Sequence, residues 1–215
     1  MGASYWCSVM ATALFSSTTA AQTFLASQQS GCPDATPEEE KLFRLIPVPT
    51  PRIETKGRLQ LVGINAHLAA HQQADFAKIP QAWSLLSSRM VQLEGKTNRS
   101  SAFTNVGAPN RFSGYEVCFG AGGGNFYFMP AVEVSTTRFV PPGMTVLVLP
   151  PQRYAVFSFS GQRADIGNLR YSIAKTFWKT SKYVRADAPN ITVYPPGDTG
   201  RSETVELQFW IPIKP

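Results

Sequence analysis

The chain has 215 residues, of which 43% are hydrophobic and 16% are charged; this balance supports a globular core and excludes a wholly disordered chain. No run reaches the roughly 18 apolar residues that a bilayer-spanning helix needs, so the sequence predicts no transmembrane segment. The formal charge of +6 is uneven, because acids outnumber bases five to three through Thr55, whereas 17 basic and nine acidic residues follow. A solvated basic surface is the commoner reason for such a surplus, with nucleic acid or anionic ligands as the alternative.

The first 57 residues are predicted to precede the compact domain. Met1 to Pro33 carries no charged side chain and resembles a signal peptide only loosely, since it lacks a basic start and a continuous apolar core. Five prolines between Gly31 and Lys56 disfavour a continuous helix. We therefore predict a poorly ordered or extended segment with a proline-rich linker at 1–57 and one domain at 58–215. We expect a cytoplasmic protein, with secretion as the alternative.

The cysteines and histidines indicate no metal site and no cofactor. Cys7, Cys32 and Cys118 have no zinc-ligand spacing, and their odd number favours a reducing compartment without a disulfide scaffold. His67 and His71 have the spacing of two helical metal ligands, but the segment lacks the glutamate of a zinc hydrolase and reads as the end of a strand.

The first half of the domain begins with a strand and a helix. LQLVGINAHL, residues 59–68, alternates apolar and polar side chains and predicts one strand. From Asp75 to a stop at Gly95, apolar residues recur every three or four positions, which predicts an amphipathic helix. GYEVCFG and NFYFMPAVEVS, residues 114–120 and 125–135, then form a hairpin around a glycine-rich turn.

The second half repeats this order. MTVLVLP and YAVFSFSG, residues 144–150 and 154–161, predict two strands, and Ile166 to Trp178 has helical periodicity. ITVYPP and TVELQFWIPIKP, from residues 191 and 204, predict two final strands. We therefore predict an α+β fold of two β-α-β-β halves, in which an antiparallel sheet carries two helices on one face.

Aromatic residues are spread over both halves. Nine of them lie in predicted strands and helices: Trp83, Phe126, Tyr127, Phe128, Phe157, Trp178, Tyr194, Phe209 and Trp210. Core packing is the simpler explanation for any one of them. Their distribution nevertheless favours an aromatic cleft between two pseudo-symmetric units, where flat apolar ligands tend to bind.

The ordered set of motifs resembles the GyrI-like small-molecule-binding domain, which is also the effector-binding module of AraC-type and MerR-type multidrug-sensing regulators. The likeness runs from about Arg58 to Pro215 and is carried by KIPQAWSLLSSR, YEVCFG, FYFMPAVEV, YAVFSFSG, SKYV, PNITVYPP and VELQFWIPI. It implies a duplicated β-α-β-β fold whose central groove holds hydrophobic, often cationic, aromatic compounds between aromatic walls and a buried glutamate.

The resemblance also implies a set of ligand-binding residues. Matched motif by motif, they are Trp83, Tyr127, Glu133, Trp178, Tyr183, Tyr194, Glu206, Gln208 and Trp210. The chain departs from the family at the acid, because Gln208 stands where the E-x-x-x-P strand ending commonly has glutamate. Glu206 would share the strand face of Gln208 and could replace that acid.

These features predict a stand-alone protein that sequesters or senses hydrophobic aromatic, in some cases cationic, compounds. No helix-turn-helix is evident in the proline-broken segment before the domain, so we expect no direct DNA-binding domain. One alternative is a hydrolase of cyclopropane-bearing DNA-alkylating compounds, in which Glu206 would be the acid-base group. Another is a protein-interaction module such as a gyrase modulator, acting through the basic side of the second helix at Arg170, Lys175 and Lys179.

Overall fold

A computed structural model describes residues 22–25, 43–69, 77–93, 113–122, 125–138, 140–198 and 200–214. The strands are β1 (Gln22–Leu25), β2 (Arg52–Lys56), β3 (Leu59–Gly63), β4 (Ala66–Ala69), β5 (Gly114–Gly122), β6 (Asn125–Glu133), β7 (Thr145–Leu149), β8 (Gln152–Gln162), β9 (Asn190–Tyr194) and β10 (Thr204–Pro212). Helix α1 is Lys78–Arg89, and α2 is Ile166–Ser172. A π-helical turn at Ile173–Phe177 joins α2 to the short α3 at Trp178–Thr180.

The ten strands form one curled sheet that shows the predicted duplication. The strand order is β1-β7-β3-β6-β5-β9-β10-β8-β2, with β4 also paired to β6. The first half contributes β3-β6-β5 and the second half contributes β8-β10-β9, so the two halves meet where β5 pairs with β9. The strand that precedes each half pairs with the other half. Strand β2 precedes the first half and pairs with β8, and β7 precedes the second half and pairs with β3. All pairings are antiparallel except that of β1 with β7.

The predicted strand at residues 59–68 is divided into β3 and β4. Gly63 pairs with Ala131 and Ala66 pairs with Phe128, so both strands keep the same register against β6. The interruption lies opposite Pro130, which has no N–H to donate to the ladder. The Pro130 carbonyl accepts from the N–H of Ile64 at 3.0 Å instead. Proline therefore splits the strand without shifting its register.

The folded region begins before the predicted boundary at Arg58. Strand β2 starts at Arg52 and pairs with β8 over five residues. Further upstream, the N–H of Ile46 donates to the Ser172 hydroxyl at 2.8 Å, and the ring of Phe43 stacks on Tyr171 at 5.7 Å. Part of the segment that we expected to be a linker is thus packed against the second helix and the sheet edge.

Each helix packs one apolar side on the same face of the sheet, as predicted. Helix α1 buries Ala82 and Leu86 in a cluster with β3, β6 and β7. The second helix buries Leu169 and Ile173 in a separate cluster with β8 and β10. We call this side of the sheet the helix face. Neither helix has the length and apolar character of a membrane-spanning segment.

The opposite side of the sheet is concave, since one buried cluster there joins strands from both ends of the sheet without any helical residue. Leu147 on β7 and Tyr154 on β8 belong to this single cluster, although five strands lie between β7 and β8 in the sheet order. Such contacts require the sheet to curl around them. We call this side the concave face.

Cys118 differs from the sequence-based prediction. It lies on β5 with only 5% of its surface exposed, and it is disulfide-bonded. The prediction of no disulfide scaffold therefore fails at this cysteine, because an odd number of cysteines does not prevent one pair from forming. Cys7, Cys32 and His71 lie outside the described residues. Within the part of the chain that is described, no cluster of histidine, cysteine and acidic residues could hold a metal ion.

Candidate ligand-binding site

Three aromatic side chains form the centre of the concave face. The rings of Tyr115 on β5 and Tyr154 on β8 lie 6.3 Å and 5.7 Å from the indole of Trp210 on β10. Each of the three residues is 1% exposed. Burial raises the pKa of the Tyr154 phenol above its ordinary value, because an ionised phenol would lose its hydration there. The cluster is thus neutral and largely apolar.

Two polar side chains are held against these rings. The Tyr115 hydroxyl donates to the Glu133 carboxylate at 2.9 Å, and the Trp210 Nε1–H donates to the Gln208 Oε1 at 2.9 Å. Glu133 is half-buried and Gln208 is buried. These two bonds give the buried Tyr115 hydroxyl and the buried Trp210 indole N–H the hydrogen-bond partners that buried Tyr and Trp normally have. Glu133 supplies the acidic group of this face.

A lysine from the sheet edge reaches the same aromatic cluster. The Lys56 Nζ lies 4.4 Å from the centroid of a Trp210 ring, which is a cation–π contact. It also donates to the Glu54 carboxylate at 2.5 Å. The hydrogen bond from Lys56 holds the pKa of Glu54 below its ordinary value, although partial burial opposes this shift. Both residues lie on β2, which was not predicted from the sequence because closely spaced prolines precede it.

Tyr127 extends the concave face along β6. Its ring lies 5.3 Å from that of the buried Phe119 and 5.2 Å from the exposed imidazole of His67. Tyr127 is half-buried and packs against the Tyr115 cluster. The concave face therefore brings together four of the predicted ligand residues, Tyr127, Glu133, Gln208 and Trp210.

Four other predicted ligand residues lie on the helix face. Trp83 on α1 makes an edge contact with Tyr194 on β9, with centroids 5.7 Å apart. Trp178 and Tyr183 pack against the apolar cluster beneath the second helix. The resemblance placed all four in one groove with Trp210. Alternate residues of a strand point to opposite sides of the sheet, and the packing of the helices assigns these four to the other side.

Glu206 is on β10, two residues before Gln208. It is exposed and borders an open pocket of about 310 Å³. The pocket is lined by Ser160, Pro195, Pro196, Asp198, Thr204, Val205 and Glu206. None of these lining residues belongs to the aromatic cluster of Trp210. This placement differs from the expectation that Glu206 replaces the groove acid.

A second acidic group was not foreseen from the sequence. Glu116 on β5 is 5% exposed on the helix face, where its carboxylate accepts from the Arg170 guanidinium and from the Tyr194 hydroxyl at 3.1 Å. Arg170 also donates to the Thr192 hydroxyl at 2.8 Å. Burial has the largest single effect and lowers the pKa of Arg170, but the charges of Glu116 and Tyr194 and the hydrogen bond to Glu116 together leave this pKa raised. The only sign of this acidic group in the sequence was that Glu116 is the one charged residue of the apolar run GYEVCFG.

The ion pair changes the interpretation of the basic helix surface. Arg170 was predicted to belong to an exposed basic side with Lys175 and Lys179. In the structure Arg170 is bound to Glu116, and Lys175 lies 5.8 Å from the Tyr171 ring. Lys179 is exposed. Arg170 thus connects the helix to the sheet, and its charge is already paired.

The duplicated half-barrel with two helices on one face defines a GyrI-like effector-binding domain, which confirms the resemblance. The sequence matches the Cass2 family, described as integron-associated effector binding proteins, over residues 52–213. The chain belongs to this family, and small-molecule binding is its general function. A search of curated protein sequences found no match.

Solved structures share the fold. One, a bacterial transcription regulation protein from Staphylococcus aureus MU50 by its description, aligns with 78% of this chain and 99% of its own at 21% identity, with a TM-score of 0.54. SAV2435 bound to tetraphenylphosphonium aligns over 76% and 93% of the two chains at 20% identity, with a TM-score of 0.53. EcmrR, in a complex with DNA, aligns over 82% and 61% at 9% identity, with a TM-score of 0.56.

Proposed function

We propose that the concave face binds hydrophobic aromatic small molecules and that the protein sequesters or senses them. The observation that carries this proposal is the cluster of Tyr115, Tyr154 and Trp210 with the Glu133 carboxylate bonded to it. Aromatic walls with a few fixed polar groups are typical of small-molecule sites. The tetraphenylphosphonium in the SAV2435 structure supports an aromatic ligand class for this fold.

The half-buried residues of the concave face are where a ligand would enter. Tyr127 and Glu133 retain some exposure, whereas Trp210 and Tyr154 do not. A ligand ring that packs on Tyr127 would contact the same cluster that buries Tyr115. Binding would then remove apolar surface from water and gain stacking energy.

A thermal-shift screen with triphenyl compounds and planar dyes tests the proposal, because a ligand that binds only the native state raises apparent stability. Tyr127→Leu should reduce the shift. Trp178→Leu is the matched control, since Trp178 is also a half-buried aromatic residue but lies on the helix face. Equal loss of binding in the two variants, or loss only in the control, would contradict a concave-face site.

We also propose that binding occurs without turnover. The proposal is supported by Glu206, the acid that the hydrolase alternative requires, which is exposed and borders an open pocket that none of the proposed ligand rings lines. A general acid-base group must lie within hydrogen-bond reach of the reacting group. Incubation with a cyclopropane-bearing alkylator should leave the compound intact; a hydrolysed product that disappears in Glu206→Gln would establish the hydrolase.

The protein-interaction alternative is proposed to depend on the outer surface of the second helix. Charge reversal at the exposed Lys179 tests it without disturbing the Glu116–Arg170 pair. Inhibition of gyrase supercoiling by the wild type that is lost in Lys179→Glu, with ligand binding retained, would show an independent role for this surface.

A further inference from the structure

We propose that Lys56 makes the concave-face site select uncharged aromatic ligands over aromatic cations. This inference rests on the proposed function and adds the charge class of the ligand. Its basis is the position of the Lys56 ammonium, 4.4 Å from the centroid of a Trp210 ring. Among aromatic side chains, indole attracts cations most strongly. Here the cation on the Trp210 indole is Lys56 of the protein itself.

The Lys56 ammonium is fixed rather than freely mobile on the surface. Its side chain is 15% exposed and its Nζ is bound to the Glu54 carboxylate at 2.5 Å. Glu54 is held in turn by the Arg52 Nε at 2.9 Å, and the Arg52 Nη1 donates to the Ser158 hydroxyl at 3.0 Å. This chain of contacts along β2 keeps the ammonium over the indole.

The other contacts of Trp210 leave little room for a ligand cation beside the indole. The rings of Tyr115 and Tyr154 pack around the indole, and its Nε1–H is committed to Gln208. A cationic ligand that sought the indole would have to displace Lys56 or place a second cation near it. Two like charges a few ångströms apart repel strongly where water is largely excluded.

Glu54 pairs with Lys56, and Arg52 adds a second positive charge at the same edge. Arg52, Glu54 and Lys56 carry one net positive charge along this edge of the concave face, and Gln208 is neutral. The carboxylate of Glu133 is on β6, where it accepts from the Tyr115 hydroxyl. An uncharged ring meets no repulsion from Lys56 and can pack on the apolar stem of that lysine.

The test compares tetraphenylphosphonium with triphenylphosphine oxide, an uncharged compound that shares three of its phenyl groups. Calorimetric titration of the full chain should show tighter binding of the oxide, and Lys56→Met should strengthen phosphonium binding by about tenfold. The affinity of the oxide should change by less than about threefold. Lys56→Arg, which keeps the cation, should retain the wild-type preference.

The controls separate this inference from the proposed function. Lys179→Met removes an exposed lysine of the second helix and should leave both affinities unchanged. If Lys56→Met fails to fold, Lys56→Gln provides the same comparison with a polar side chain. Binding of both probes with a ratio that neither Lys56 variant changes would overturn the role of Lys56 alone. Failure of the wild type and every variant to bind either probe would overturn the concave-face site as well.

Discussion

Arg170 on α2 and Glu116 on β5 form an ion pair between the second helix and the middle of the sheet. The Glu116 side chain is 6% exposed and that of Arg170 is 35% exposed. Arg170 also contacts Thr192, and Tyr194 donates to Glu116. The pair lies beside the β5–β9 junction, so it connects the two halves of the fold as well as a helix and a sheet.

Glu116→Gln should therefore destabilise the protein. Removing one partner of a buried pair leaves the other charge unpaired, and the partial exposure of Arg170 reduces the cost to about 2 kcal/mol. Urea unfolding measures this change. Glu206→Gln, at an exposed glutamate, should change the free energy of unfolding by less than about 0.5 kcal/mol. Equal effects of the two variants would contradict a stabilising role for the pair.

The hydrogen bond between Trp210 and Gln208 makes a second prediction. Gln208→Met keeps the side-chain size but removes the acceptor, and it leaves the buried indole N–H without this partner. We expect a loss of about 1–3 kcal/mol in the free energy of unfolding. Gln162→Met makes the same change at an exposed glutamine and should be close to neutral. A neutral Gln208→Met would show that this bond does not stabilise the fold.

Gly63 is predicted to be intolerant of any side chain. A Cβ there would lie 2.1 Å from the Pro130 carbonyl oxygen and 2.8 Å from the Cα of Ala131. Both are backbone atoms of β6, so they cannot rotate away. Gly63→Ala should cost about 3 kcal/mol or more. At Gly57 no atom lies within 4 Å of the added Cβ, and Gly57→Ala should be neutral or slightly stabilising because it restricts the unfolded chain.

Alkaline pH should destabilise the protein through its buried tyrosines. Burial raises the pKa of both Tyr154 and Tyr194, and the Glu116 charge adds to the shift at Tyr194. The ordinary tyrosine pKa, which applies to the unfolded chain, is 10.0. The contribution of the two neutral, buried phenols to the free energy of unfolding is therefore complete below pH 10. It is lost as the pH rises from 10 towards the higher pKa of the folded state.

Urea midpoints measured at increasing pH should fall above pH 10, while tyrosinate absorbance from these residues appears with unfolding. Tyr154→Phe removes one of the groups that ionise in the unfolded chain and should make this fall shallower. Tyr183→Phe, at a half-buried tyrosine of the helix face, is the control. The interpretation fails if the stability of wild type and Tyr154→Phe has the same dependence on alkaline pH.

Local sequence patterns were sufficient for the repeated elements. The apolar spacing around Trp83 and Leu86 predicted α1, because one side of a helix collects every third or fourth residue. The runs on either side of the glycine-rich turn predicted β5 and β6, since neighbouring strands with a short connection pair antiparallel. These interactions lie within or between adjacent elements, so a short window contains the necessary information.

The sequence missed β2 and its residues Glu54 and Lys56. Prolines at 47, 49 and 51 correctly disfavoured a helix, but they do not exclude a strand at the edge of a sheet, where an N–H can be dispensed with. Arg52 pairs with Val156, which is 104 residues away. No local pattern specifies such a partner, and the position of Lys56 over Trp210 depends on it.

The sequence by itself determined the duplicated order of strands and helices and the family resemblance, and the alternation along the last strand put Glu206 and Gln208 on one side of it. Only the tertiary structure decided which face that is. It placed Trp210 with Glu133 on the concave face and Tyr194 with Glu116 on the helix face. Alternation along a strand fixes which side chains point the same way, but the curl of the sheet and the packing of the helices decide what each face contacts.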